Sequence, residues 1–195
     1  IFVPQTISME IQPQVHFDDT AVAFSYKSDR DLRKANFIFT LVNHPIISKL
    51  ATSAVQLGLT LHLPVKGLIK ATVFDHFCGG EDIAQSEKTI KNLSDFQVGT
   101  ILDYSVEGEK SEQGFDKTTD EILSTFDKAK GNKHVPFCVF KVTGMADMAL
   151  LEKVHMKTDL TSEESSAFER VRKRVELICA KAHEYKVPVL IDAED

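Results

Sequence analysis

Three short apolar runs, separated by helical patterns, constrain most strongly how this chain can fold. They occupy residues 99–104, 137–144 and 187–195, and turn residues bound them. Their length and composition are typical of strands that are buried on both faces of a parallel sheet. Because helical segments connect the runs, we predict crossover connections and an α/β fold.

Helical periodicity fills most of the remaining sequence. Three successive helices form an all-α segment at the start, and the order then becomes α-β-α-β-α-α-β. We predict that Asp29 caps a helix that Asn43-His44-Pro45 ends, because proline interrupts helical hydrogen bonding. A capping box at Thr161-Ser162-Glu163-Glu164 opens the most strongly patterned helix. Three parallel strands are too few to close a barrel, which suggests part of a larger domain.

Composition argues against several classes of function. The net charge is −6, and no stripe of basic and aromatic residues indicates nucleic-acid binding. The most basic run, residues 170–174, has acidic neighbours, so we interpret it as a solvated helix face. Three separated cysteines and scattered histidines predict neither a disulfide framework nor a metal site. No apolar run reaches the length of a membrane span.

Each apolar run carries a charged residue near its C-terminal end. Strand alternation puts Asp103 on the face of Ile101, Lys141 on the face of Val139, and Asp192 on the face of Glu194. If these three faces point into one barrel, Asp103, Lys141 and Asp192 converge at the same rim. The carboxyl ends of parallel strands are where α/β folds keep their chemistry. A lysine among carboxylates stays protonated, so Lys141 is a candidate anchor for a substrate carboxylate.

The residues alone leave other interpretations open. Lys141 could belong to a structural salt bridge at the rim, and Asp103 could be a turn or cap residue. A lysine late in a barrel strand also permits Schiff-base chemistry, as in an aldolase or isomerase. A third alternative is a non-catalytic half-barrel whose helices support contacts with a partner protein.

Four segments resemble motifs of the proline dehydrogenase family and occur in the family's order. The preceding helices also resemble the bacterial monofunctional type, and the likeness covers its N-terminal half only. The segments are Phe77-Cys78-Gly79-Gly80-Glu81-Asp82 (the family's F-x-x-GE), Thr100-Ile101-Leu102-Asp103-Tyr104 (ILDY), Phe140-Lys141-Val142-Thr143 (IKLT) and Leu190-Ile191-Asp192-Ala193-Glu194 (DAE).

The resemblance implies a fold and a reaction. Residues 1–78 would be a helical N-terminal segment, and residues 79–195 the first three β/α units of a (β/α)8 (TIM-like) barrel that continues beyond residue 195. Such enzymes bind FAD, oxidise L-proline to Δ1-pyrroline-5-carboxylate and pass electrons to a membrane quinone.

The resemblance also assigns roles to residues. Lys141 matches the lysine that pairs with the proline carboxylate, and Asp192 matches the aspartate that steadies substrate-site arginines beside the flavin. Asp103 falls at a family position too. Later family arginines, tyrosines and most FAD contacts do not occur here, so we expect an inactive fragment that the missing C-terminal half of the barrel completes. We expect a cytoplasmic protein, peripheral at the inner membrane in a bacterium, or a mitochondrial protein in a eukaryote.

Overall fold

The computed structural model describes residues 18–104 and 109–193. Contacts divide the chain into two compact units, residues 1–66 and residues 67–195. The domain division predicted after residue 78 stays a prediction. The helices of the described residues are α1 (Thr20–Ala23), α2 (Asp29–Val42), α3 (Pro45–Thr60), α4 (Val65–Ile69), a π-helical turn (Lys70–Phe74), α5 (Asp75–Phe77), α6 (Ile83–Asp95), α7 (Glu112–Ala129), a 3-10 turn (Val142–Gly144), α8 (Met148–His155) and α9 (Ser162–Tyr185).

The described residues of the first unit, 18–66, are largely helical, as predicted, and α2 begins at a well-defined cap. Ser28, not Asp29, is the N-cap of α2, so that prediction was wrong by one residue. Ser28 is the cap because its Oγ accepts a hydrogen bond from the Asp31 N–H at 3.2 Å. The Asp31 carboxylate accepts in return from the Ser28 N–H at 3.3 Å, so the two residues form a reciprocal capping box. The predicted helix end at Asn43 is confirmed, and Pro45 is the first residue of α3.

The second unit contains a parallel sheet of three strands, β1 (Ile101–Leu102), β2 (Phe137–Lys141) and β3 (Val189–Asp192). Their order in the sheet is β1-β2-β3. Leu102 pairs with Cys138, and Cys138 pairs with Val189. The predicted alternation of helices and parallel strands is therefore confirmed, although each strand is shorter than its apolar run.

Helices cover most of one face of this sheet, although Ile191, which pairs with Phe140 on that face, is 58% exposed. Cys138 and Phe140 are at most 1% exposed on that face. The prediction that the strands are buried on both faces was wrong for the described residues, since Ile101, Phe137 and Leu190 on the other face are 39–45% exposed. The physical reason is that α7 and α9 both pack on the same side. Their core side chains against Cys138 and Phe140 include Ile122, Phe126, Ile178 and Ala182.

Candidate functional site

Lys141 is the last residue of β2, at the carboxyl edge of the sheet. A 3-10 turn over Val142–Gly144 follows it directly. Residue register places Lys141 beside Asp192 of β3, on the face that α7 and α9 leave uncovered. The lysine side chain is 23% exposed, so a ligand from solvent can reach it.

Lys141 and Asp192 form an ion pair at this edge. The lysine Nζ lies 3.4 Å from Asp192 Oδ2, and the aspartate side chain is 49% exposed. A tight charge-assisted hydrogen bond is shorter, at roughly 2.7–2.9 Å. The contact is therefore longer than such a bond, and solvent reaches both side chains, although Lys141 is the more buried of the two.

The two other predicted site residues are Asp103 and Glu194, and only Asp103 lies among the described residues. Asp103 follows β1 directly and is exposed. Because Leu102 is level with Cys138, extending the register places Asp103 level with Val139, on the same face as Lys141 but closer to the start of β2. Glu194 lies outside the described residues. The structure thus brings Lys141 and Asp192 together, and Asp103 would share their face if the register of β1 continued by one residue.

The uncovered face combines an apolar floor with a charged edge. Ile101, Phe137 and Leu190 form the exposed apolar part, and the Lys141–Asp192 pair forms the edge. The face thus joins exposed apolar side chains to an ion pair at the carboxyl edge of the sheet. Within residues 18–104 and 109–193, no group of three or more His, Cys, Asp or Glu side chains could hold a metal ion.

Arg174 is a residue of interest that the sequence interpretation missed. It is only 6% exposed, so the prediction of a solvated face for residues 170–174 was wrong at this position. Its Nε donates to Asp116 Oδ1 at 2.9 Å, and Nη2 donates to Glu112. The signal was present in the helical spacing, because Arg174 lies three residues after Val171 and four before Ile178, both buried.

Glu112 of α7 accepts hydrogen bonds from two arginines of α9, Arg170 and Arg174. Arg170 Nη2 donates to Glu112 Oε1 at 2.6 Å, and Arg174 donates to the other carboxylate oxygen. The hydrogen bond from Arg170, together with that from Arg174, lowers the pKa of Glu112 to about 2. Glu112 is therefore a charged structural partner and not a proton donor near neutral pH.

No helix in the described part of the chain is both long enough and apolar enough to cross a membrane. This observation concerns residues 18–104 and 109–193 alone.

Comparison with known proteins gives a consistent family match. A family model described as proline dehydrogenase matches residues 86–195. The chain is 27% identical over 76% of its length to "Proline dehydrogenase 1, mitochondrial" of Arabidopsis thaliana. It is 27% identical over 90% of its length to the protein of that name from Dictyostelium discoideum. It is also 27% identical over 66% of its length to "Carbapenem antibiotics biosynthesis protein CarD" of Pectobacterium carotovorum subsp. carotovorum.

These relatives are much longer than the chain. The matched part covers 36% of the Arabidopsis protein, 38% of the Dictyostelium protein and 34% of the Pectobacterium protein. The chain therefore spans about a third of the length of these relatives.

Proposed function

The chain belongs to the proline dehydrogenase family, and from this premise we propose that the whole protein oxidises L-proline to Δ1-pyrroline-5-carboxylate. We propose FAD as its cofactor and a membrane quinone as its electron acceptor. The observation that carries the proposal is the Lys141–Asp192 pair at the carboxyl edge of a parallel sheet. Names of relatives from two organisms include "mitochondrial", which supports that location if the protein is eukaryotic.

We propose that the sheet is the beginning of a (β/α)8 barrel that starts at residue 79, and that residues 1–78 are a helical N-terminal segment. Consecutive strands are neighbours in the order β1-β2-β3, and helices from both connections, α7 and α9, contribute to the same core. In a doubly wound sheet the strand order reverses and helices cover both faces. The arrangement here supports the barrel alternative, in which all helices lie outside.

The residues of the uncovered face fit the proposed cofactor. An isoalloxazine ring is flat and largely apolar, and Ile101, Phe137 and Leu190 give it an apolar surface of exposed side chains. Asp192 would lie beside the ring at the charged edge. When bound, FAD supplies the acceptor for the hydride that leaves proline.

The proposed role of Lys141 is to bind the carboxylate of proline. An ammonium at the end of a strand offers three donors and a positive charge, and its partial burial strengthens the attraction relative to bulk water. Asp192, whose carboxylate lies 3.4 Å away, would hold the lysine side chain over the sheet edge. Schiff-base chemistry has less support, because a neutral amine is needed as the nucleophile.

The test is Lys141→Ala in the whole protein. We expect the KM for proline to rise on the order of 10- to 100-fold, because a charge-assisted contact with the carboxylate is lost. Flavin content, measured by absorbance of the purified protein, should stay close to that of the wild type. Steady-state kinetics with an artificial electron acceptor would measure the change.

Lys91→Ala is the matched control. Lys91 also pairs with an aspartate, Asp95, at 2.9 Å, but on the exposed surface of α6. The KM of the Lys91→Ala variant for proline should match that of the wild type. A Lys141→Ala enzyme with wild-type KM would refute the assignment of Lys141, and a whole protein that never binds flavin would refute the proposed activity.

A further inference from the structure

We propose that Arg174 is a positioning residue for Lys141: it fixes the turn that follows β2 and thereby the place from which Lys141 reaches the substrate carboxylate. This inference rests on the proposed function of Lys141. Arg174 lies on α9, far along the chain from β2, and nothing in the family match assigns it a role.

Arg174 connects three elements of the second unit. Its Nη1 donates to the Met145 carbonyl oxygen at 3.2 Å, directly after the 3-10 turn. Its Nε and Nη2 donate to two carboxylates of α7, Asp116 and Glu112. The guanidinium also lies 5.5 Å from the centre of the Phe115 ring. One buried side chain thus joins α9 to α7 and to the turn that follows β2.

The bonded turn begins at the residue next to Lys141. The Met145 N–H donates to the Val142 carbonyl oxygen at 2.9 Å and closes the turn. Gly144, Met145 and Ala146 are buried, so the turn cannot shift without disturbing the core. Because Arg174 holds the Met145 carbonyl, it fixes the end of the turn four residues after Lys141.

The chemistry of the cluster requires arginine. Burying a cation is costly unless it is paired and hydrogen-bonded, and Arg174 at 6% exposure meets that condition through its two acidic partners and one carbonyl. The planar guanidinium directs donors to several acceptors at once, whereas a lysine ammonium is a single point on a flexible stem. If the side chain only joined α9 to α7 through an exposed ion pair, it would not need a planar group with several donors.

The test uses Arg174→Met and Arg174→Lys in the whole protein. Arg174→Met keeps the apolar stem and removes the donors, while Arg174→Lys keeps the charge near Glu112 and loses the fork that reaches Met145. We expect both variants to raise the KM for proline about fivefold with kcat within about twofold, the size of one lost hydrogen bond. If Arg174→Met does not fold, Arg174→Lys carries the test alone.

Lys181→Met is the matched control, because Lys181 also joins α9 to α7, through Asp127 at 2.8 Å, without contacting the turn. It should leave the KM for proline unchanged. Equal rises in KM for the Lys181 and Arg174 variants would mean that Arg174 acts only by joining the helices, and would overturn the proposal.

A double-mutant cycle separates positioning from a general structural role. In a Lys141→Ala background, the Arg174 variants should cause no further rise in KM, because the residue they position is absent. If the KM of the double variant rises by the product of the two single-variant increases, the inference is overturned. A wild-type KM in Lys141→Ala alone would instead refute the proposed function, so the two failures are distinguishable.

Discussion

Lys141 and Arg174 are both cations near the end of β2, yet their surroundings differ. The Lys141 side chain is 23% exposed and its Nζ lies 3.4 Å from Asp192, whereas the Arg174 side chain is 7% exposed and contacts Glu112 and Asp116. A cation enclosed by partners serves the fold, and a cation that solvent can reach can exchange a partner for a ligand. This contrast is why we assign ligand binding to Lys141 and positioning to Arg174.

The sequence predicted the first of these residues but not the second. A lysine at the end of an apolar run stands out against its neighbours, and strand alternation alone places it with Asp192. Arg174 lies inside a basic run, where solvated side chains are the usual outcome. Only its spacing from Val171 and Ile178 distinguished it, and its acidic partners, Glu112 and Asp116, are distant in the sequence.

The lowered pKa of Glu112 predicts a pH dependence of stability. Its pKa falls from 4.5 to about 2 on folding, so its charged form stabilises the fold fully above pH 4.5. The contribution decreases as the pH falls from 4.5 towards 2. We therefore expect Glu112→Gln to lower the urea midpoint of the whole protein at pH 6, and the difference from the wild type to shrink as the pH falls through this window.

Asp95→Asn is the control for this experiment, because Asp95 pairs with Lys91 on the exposed surface of one helix. It should change the urea midpoint little at any pH. A stability difference for Glu112→Gln that stays constant down to pH 2 would contradict the assigned cause.

At the scale of elements, caps were more predictable than strand lengths. Thr161 caps α9 as predicted: its Oγ1 accepts from the Glu164 N–H at 3.2 Å, and Glu164 Oε2 accepts from the Thr161 N–H at 2.9 Å. Capping is local chemistry, so a short segment contains all of it. The end of β2 depends on residues distant in the sequence, because the last residues of the apolar run form a 3-10 turn, and Arg174 of α9 donates to the Met145 carbonyl directly after it.

The capping box of α9 gives a prediction at this scale. Thr161→Ala should destabilise the protein by about 1 kcal/mol, since an N-terminal N–H of the helix loses its acceptor. Ser166→Ala is the comparison, because Ser166 Oγ only donates to the Ser162 carbonyl within the same helix. Chemical denaturation of the two variants would measure the difference, and equal losses would show that the cap is unimportant.

At the scale of the molecule, the sequence predicted the parallel sheet but not which face is covered. Ile101, Phe137 and Leu190 on the exposed face are as apolar as Cys138 and Phe140 on the buried one. Hydrophobicity alone therefore cannot distinguish them; the distinction arises from both connecting helices packing on one side. In the proposed barrel, the exposed apolar face would line the interior. The further strands would come from the rest of the protein, which agrees with relatives almost three times as long as the matched segment.

The central claim is that Lys141 recognises a carboxylate, and the most direct test compares proline with pyrrolidine, which lacks that group. We expect the wild-type whole protein to prefer proline, by kcat/KM, on the order of 10- to 100-fold. Lys141→Ala should lose most of this preference by weakening proline oxidation while leaving pyrrolidine oxidation nearly unchanged. An equal loss for both substrates, or an unchanged preference for proline, would contradict the account.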